Sequence, residues 1–221
     1  RSFRLGVSIG VVPITAENEN VAALLTAADS ACAAAKEAGR NRIHSFQEND
    51  IDLMRRRREM QWAARINTAL EENRFELFRQ TIQPLQAEEH GAHYEILLRM
   101  RDEDGELVRP DLFIPSAQRY NLMSTLDRWV IREALSKLAD REAEDEARYT
   151  IAINLSGTSL SEDRFLADVI AELEKQQLPP GAVCFEITET AAISNLSRVI
   201  HFMQTLKKLG CKFSLDDFGS G

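Results

Sequence analysis

Cysteine is scarce in this sequence, with only Cys32, Cys184 and Cys211 among 221 residues. So small and odd a number gives no sign of a disulfide framework and indicates a reducing compartment. We therefore expect a cytoplasmic protein. Long apolar runs are also lacking, since none approaches the roughly 18 residues that a membrane-spanning helix needs. We expect no membrane contact by this segment, and a sensor or membrane region upstream of it is compatible with the sequence.

Net positive charge is absent as well. Lys and Arg number 27 against 35 Asp and Glu, so the formal net charge is −8 and the pI is about 5.2. A protein of this charge is not expected to bind a nucleic acid polymer. A smaller anion remains compatible with it where metal ions mediate the contact. At this length the chain can bury a sizeable core and form one or two domains.

The C-terminal end is the most informative stretch, because it has a strand–helix–strand pattern. Side chains alternate along residues 183–188, with Glu186 on the more polar face. Apolar residues recur at helical spacing over residues 193–206. Residues 211–215 return as a strand that leads to Asp216. This pattern predicts a βαβ unit, and open sheets and barrels of such units place their chemistry at the carboxyl ends of the strands.

The same alternation places polar residues at corresponding positions of earlier strands. Glu95 and Asn154 are predicted to project with Glu186 and Asp216 from neighbouring strands near one end of a sheet. A lone acid on a strand is more often a helix cap or an ion-pair partner. Three carboxylates and one amide oxygen together suit hard cations such as Mg²⁺ or Mn²⁺ rather than Zn²⁺. Asp217 comes next, so two adjacent ions can be held, which is a common device for phosphodiester hydrolysis.

Strands and helices alternate over the second part of the chain, from Phe75 onward. This order predicts an α/β fold with a parallel sheet, and an early hairpin breaks its regularity. A long charged helix over residues 49–73 precedes this part, and we place a domain boundary there. The strands are predicted over residues 75–86, 93–100 and 149–155, and the helices over 110–122, 125–138 and 161–176.

Four segments of this part resemble the EAL family of cyclic di-GMP phosphodiesterases. They are YEILLRM (residues 94–100), INLSG (153–157), FEITET (185–190) and LDDFGSG (215–221). The resemblance implies a TIM-type (β/α)8 barrel with an antiparallel first strand, of which this chain would hold the first half. It also implies cyclic di-GMP as the ligand and two Mg²⁺ or Mn²⁺ ions as cofactors.

The resemblance further implies a role for each matching residue of the catalytic centre. Glu189 resembles the acid that braces the loop beginning at Asp217. The family's metal ligands, which are also its catalytic residues, fall on Glu95, Asn154, Glu186, Asp216 and Asp217.

Four residues resemble substrate-binding residues of the family. Arg99 matches an arginine that meets a phosphate, and a guanidinium suits that task. Gln80 matches a ligand-contacting glutamine, and Leu97 and Pro115 would line the guanine site. Two alternatives stay open, since Pro115 could instead start a helix and Gln80 could be a hydrogen-bonded strand residue. The chain also departs from the family pattern, without loss of a ligand oxygen, at Thr81, Ile96, Met100, Gln118 and Ser220.

The first residues resemble the C-terminal end of a GGDEF domain, the diguanylate cyclase family. The resemblance rests on VSIGVV (residues 7–12), ADSACAAAK (28–36) and GRNRI (39–43). The signature loop of that family would lie before Arg1. A strand is predicted over residues 3–12 and a helix over residues 20–36, with Leu24, Leu25, Ala28, Cys32 and Ala35 on one stripe. We predict a GGDEF part (1–48), a linker helix (49–73) and an N-terminal EAL part (74–221).

Two functions are compatible with these features. The first is hydrolysis of cyclic di-GMP to linear pGpG, and the second is a catalytically silent receptor of the same fold. The enzyme is favoured over the receptor because the sequence retains the residues that match the family's metal ligands. A third alternative, a purely structural scaffold, would not explain why these acids are aligned. The resemblance leaves open a homodimer through the EAL domain. Because the family's lysine and a further glutamate follow the DDFG segment, we expect residues 1–221 alone to be aggregation-prone and inactive, and to need a longer polypeptide or a second chain.

Overall fold

The computed structural model describes residues 6–14, 20–85, 91–144, 149–194 and 196–219. The chain divides into two compact units, Arg1–Gln61 and Trp62–Gly221. The predicted boundaries at residues 48 and 73 stay predictions. In the described part of the chain, no helix is both long enough and apolar enough to cross a membrane.

The first unit is a small helix packed on two parallel strands. Strand β1 (Ile9–Val11) pairs with β2 (Ile43–Ser45), and α1 (Val21–Glu37) packs on β1. Residues 3–5 of the predicted first strand lie outside the described residues. Gly10 permits this packing, because a Cβ there would come within 2.3 Å of the Cys32 backbone nitrogen.

The apolar stripe predicted for α1 is partly wrong. Leu25 is 64% exposed, and the buried face of the helix consists of Ala27, Ala31 and Ala35. The close approach of β1 explains the difference, since only small side chains fit under a helix that touches a strand backbone. Asn20 begins the helix as its N-cap, where the Ala23 backbone nitrogen donates to Asn20 Oδ1 at 2.9 Å.

The second unit is built around a six-stranded sheet. Its strands are β3 (Phe75–Ile82), β4 (Ala92–Arg101), β5 (Leu107–Val108), β6 (Tyr149–Leu155), β7 (Val183–Thr188) and β8 (Lys212–Asp216). Their order in the sheet is β3-β4-β6-β7-β8, with β5 paired to β4. Strands β4, β6, β7 and β8 are parallel to one another, whereas β3 is antiparallel to β4. This matches the antiparallel first strand that the resemblance implied.

Helices precede the sheet and connect its strands. A 24-residue helix, α2, leads into β3. The helix predicted from residue 161 is wrong at its start, because a short helix forms first and the longer one begins at Phe165. The helix predicted over residues 193–206 begins earlier, at Glu189, and its described parts are Glu189–Ser194 and Leu196–Lys208, since residue 195 lies outside the described residues. The bounds are α2 (Glu48–Glu71), α3 (Pro110–Arg119), α4 (Met123–Glu144), α5 (Gly157–Leu160), α6 (Phe165–Gln176), α7 (Glu189–Ser194) and α8 (Leu196–Lys208).

The core lies between one face of the sheet and these helices. Phe185 on β7 is fully buried and meets Phe202 of α8 edge to face, with ring centroids 6.3 Å apart. Phe202 also stacks on Phe165 of α6 at 6.1 Å. Burying each such ring contributes about 2 to 3 kcal/mol. The alternation that assigned Phe185 and Ile187 to one face of β7 is confirmed, and Glu186 therefore lies on the opposite face.

Candidate active site

Adjacent strands bring Glu95 and Asn154 together. Glu95 on β4 is level with Ala152 on β6, so Asn154 lies two residues further along on the same face. The Asn154 Nδ2 donates a hydrogen bond to Glu95 Oε1 at 3.0 Å. Asn154 in turn lies directly opposite Glu186 on β7. Three of the predicted site residues thus share one face of three successive strands.

Glu186 lies half-buried among other acids. Burial raises the pKa of its carboxyl, and the negative charges of Glu95 and Asp216 raise it as well, against the lowering effect of a hydrogen bond from Ser214. Ser214 is directly opposite Glu186 on β8, and its Oγ donates to Glu186 Oε1 at 3.0 Å. Such crowding of negative charge is what a bound cation would relieve.

Asp216 and Asp217 end the last described strand. Asp216 pairs with Thr188 of β7 and is exposed on the same face as Ser214. Asp217 follows with a φ of +56°, in the left-handed region, so the chain turns sharply away from the strand. The Gly219 nitrogen donates to Glu189 Oε2 at 2.7 Å. Glu189, the first residue of α7, is therefore bonded to the loop that contains Asp217.

The four predicted substrate-binding residues fall into two groups. Gln80 is directly opposite Glu95, and Leu97 and Arg99 follow Glu95 on the same face of β4. The Arg99 Nη1 donates to the Leu98 carbonyl at 2.8 Å, and its guanidinium lies 5.7 Å from the ring centre of Phe78. These three residues therefore lie on the same face of the β3–β4 pair as Glu95.

Pro115 is placed differently, because it lies on α3 and not on the sheet. It is exposed in the interior of a helix that begins at Pro110. The alternative that Pro115 starts a helix is therefore wrong, since Pro110 occupies that position, where a missing N–H costs nothing.

The residues present fit a hard divalent cation. Glu95, Glu186, Asp216 and Asn154 offer only oxygen donors, which is the ligand chemistry of Mg²⁺ and Mn²⁺. As they stand, no group of three or more His, Cys, Asp or Glu side chains within the described ranges is arranged to hold an ion. The Asn154 amide presents its nitrogen to Glu95, whereas a cation would bind its oxygen.

Sequence reasoning did not assign a role to three polar residues near this face. Ser214 lies on the same face as Asp216, but nothing in the sequence showed that it would bond Glu186. His93 precedes Glu95 on the same face of β4, and its Nε2 is buried without a hydrogen-bond partner among the described residues. Asp127 is buried beneath the turn that follows Asn154. Its position in the apolar run LDRWVI was the one available signal.

A mostly parallel sheet, with helices packed on one face and oxygen-bearing side chains on the other, defines an α/β protein of the barrel type with a candidate metal centre. The chain belongs to the EAL domain family, whose model matches residues 63–221. The GGDEF assignment of the first residues stays a prediction.

Known relatives include cyclic di-GMP phosphodiesterases. PdeB of Shewanella oneidensis is 40% identical over 220 residues, which is 100% of this chain and 26% of PdeB. PdeF of Escherichia coli is 40% identical over 157 residues, which is 71% of this chain and 20% of PdeF. The chain thus spans about a quarter or less of the length of these relatives.

A solved structure shares the fold. The EAL domain of FimX from Pseudomonas aeruginosa, bound to c-di-GMP, superposes with a TM-score of 0.66 at 31% identity. The match covers 72% of this chain and 63% of that chain. The α/β barrel-type fold expected from the sequence is confirmed.

Proposed function

We propose that this chain is part of a metal-dependent phosphodiesterase that hydrolyses cyclic di-GMP to linear pGpG. The observation that carries the proposal is the group of Glu95, Asn154, Glu186 and Asp216 on one face of four successive parallel strands. The names of the relatives PdeB and PdeF support it. In the reaction a water oxygen forms a bond to one phosphorus, and the bond from that phosphorus to the 3′ oxygen breaks and leaves a 5′ phosphate.

The residues divide the work by their chemistry. Glu95, Asn154, Glu186 and Asp216 would hold the divalent ions, and Asp217 would reach a second one. Such ions lower the pKa of water and neutralise the charge that develops on the phosphate oxygens. Glu189 would hold the Asp217 loop in place through its bond to Gly219.

The remaining site residues would bind the ligand. Arg99 would pair with a phosphate, because its guanidinium can donate two parallel hydrogen bonds to phosphate oxygens. Gln80 lies beside Glu95 and would contact the ligand from the neighbouring strand. Leu97 and Pro115 are proposed to line the guanine site.

The test is formation of pGpG from cyclic di-GMP by the full-length protein. We expect hydrolysis with Mg²⁺ or Mn²⁺ and none in excess EDTA. Full activity in EDTA would refute the two-metal mechanism. Binding of cyclic di-GMP without turnover, at saturating metal, would instead identify a catalytically silent receptor.

We also infer that residues 1–48 are the end of a GGDEF domain and that residues 49–73 join it to the EAL part. The strand–helix–strand order of β1, α1 and β2 supports this, as does the segment VSIGVV that packs against α1 through Gly10. A GGDEF domain of the diguanylate cyclase family and an EAL phosphodiesterase would both act on guanine nucleotides, which is consistent with their occurrence in one chain. Limited proteolysis of the full-length protein should cut within residues 49–61, before the buried Ile66 and Ala69, and leave both parts folded.

A further inference from the structure

Asp127 is the one buried charged residue within the described part of the chain. It lies near the start of α4 and is 6% exposed. Its neighbours Leu126 and Val130 belong to the hydrophobic core. A buried carboxylate is costly unless hydrogen bonds compensate for the lost water. Burial accordingly raises the pKa of Asp127, while hydrogen bonds from Ser159 and Ser156 act in the opposite direction.

Both hydrogen bonds of Asp127 go to a single turn. The Ser159 hydroxyl donates to Asp127 Oδ2 at 2.6 Å, and the Ser156 backbone nitrogen donates to the same oxygen at 3.0 Å. Ser156 is the N-cap of α5, and its Oγ accepts from the Ser159 nitrogen at 3.2 Å. Asp127 therefore fixes the turn from β6 into α5 from inside the core.

This turn immediately follows Asn154. Leu155, the last residue of β6, is buried in the core, and the backbone nitrogen of Ser156 is bonded to Asp127. Both contacts fix the position of the chain directly after Asn154. The turn also touches α7, because a Cβ at Gly157 would lie 3.0 Å from the Ala191 Cβ. Helix α7 carries Glu189, which bonds the Asp217 loop. One buried carboxylate thus supports a turn that lies between two predicted site residues.

We propose that Asp127 is a positioning residue of the active site, which orients Asn154 for metal binding by fixing the Ser156–Ser159 turn. The inference rests on the proposed function, since it assumes that Asn154 is a metal ligand. Residues that orient a ligand from behind typically change metal affinity or activity by about 10- to 100-fold when they are replaced.

The experiment measures Mn²⁺ binding by calorimetry in the full-length protein without substrate. Asp127→Ala removes both acceptor bonds, and we expect the Kd for Mn²⁺ to rise by about 10-fold or more. Asp127→Asn keeps an oxygen that can accept both bonds, and we expect a Kd close to the wild-type value. Ser159→Ala removes one donor to Asp127, and we expect an intermediate rise.

Leu135→Ala is the matched control, because Leu135 is a fully buried residue of the same helix without a bond to the turn. It should lower the melting temperature and leave the Kd for Mn²⁺ unchanged. A Kd that stays at the wild-type value in Asp127→Ala would overturn the proposal. If that variant does not fold, an unchanged Kd in Ser159→Ala would overturn it equally. A wild-type protein that binds Mn²⁺ without hydrolysing cyclic di-GMP would refute the proposed function alone, since the comparison of Kd values does not need turnover.

Discussion

At the scale of single residues, Glu186 shows how negative charge is concentrated in the acidic group. Its carboxyl is half-buried, and Glu95 and Asp216 raise its pKa further by their negative charge. Its described hydrogen bond comes from the Ser214 hydroxyl, which is a neutral donor. A metal ion would supply the charge that this neutral donor lacks.

Replacing Glu186 by its amide should abolish turnover. The change Glu186→Gln keeps the shape of the side chain and removes its charge, so we expect kcat to fall by about 100-fold or more with the fold intact. Initial rates at saturating Mn²⁺ and a circular dichroism melt measure both. Glu174→Gln, at an exposed position on α6, is the control and should behave as wild type. Wild-type turnover in Glu186→Gln would show that the ligand assignment is wrong.

Arg99→Ala should act mainly on binding. Arg99 follows the acids on the same face of β4, and its guanidinium suits a phosphate. We expect KM to rise by about 10-fold or more with a smaller change in kcat, because the lost contact is made in both ground and transition states. Arg109→Ala, at an exposed site before α3, should leave both constants unchanged. A fall in kcat at constant KM would assign Arg99 to the chemical step instead.

Cys211 provides a prediction on pH. Burial, together with the nearby Cys184, raises the pKa of the Cys211 thiol from 9.0 to about 11. Because the thiolate is the reactive form, Cys211 in the native protein should react with iodoacetamide about 100-fold more slowly at pH 8.5 than an unperturbed thiol. Its rate should rise until the pH approaches 11. Mass spectrometry of the labelled peptides measures this, and the same peptide in urea is the control. Equal native and unfolded rates at pH 8.5 would contradict the prediction.

At the scale of elements, strands were easier to predict than helix boundaries. Alternation gave β7 over its full length, because its core face is uniformly apolar and its other face is not. The helix expected from residue 193 begins earlier, at Glu189, and its apolar spacing includes Ile193 and Leu196, which are both exposed. The Thr188 hydroxyl accepts from the Ala191 nitrogen and caps the start of the helix at Glu189. A side-chain cap of this kind depends on rotamers that periodicity does not record.

The contact between α7 and the loop after β8 leads to a prediction on Glu189. Glu189→Ala removes the acceptor of the Gly219 N–H, which frees the Asp217 loop. We expect kcat to fall by about 10-fold or more while cyclic di-GMP still binds and the melting temperature changes little. Calorimetric titration with ligand, rate measurements and thermal melts separate these effects. Comparable losses of binding and of thermal stability would show that Glu189 is only a structural anchor.

At the scale of the whole molecule, the register between neighbouring strands could not be predicted from the sequence. The sequence indicated which residues of each strand share a face. It did not indicate that Asn154 would lie opposite Glu186, or Glu186 opposite Ser214, and these pairings bring the polar side chains close together. A shift of one residue would turn Glu186 towards the core, so the apolar residues of β7 determine the site indirectly. Asp127 was missed for the same reason, because its partners lie about thirty residues further along the chain.

The direction of β3 determines where the preceding helix enters the sheet. Because β3 is antiparallel to its neighbour, Phe75 at its start pairs with Met100 near the carboxyl end of β4. The connection is direct, since the Arg101 nitrogen donates to the Arg74 carbonyl at 2.8 Å, and the Arg74 nitrogen donates to Ala69 of α2 at 2.8 Å. A parallel first strand would bring α2 in at the far edge. A displacement of the end of α2 would therefore reach Arg101, two residues beyond Arg99 on β4, through two backbone hydrogen bonds, while Ile66 and Ala69 of the same helix lie in the core.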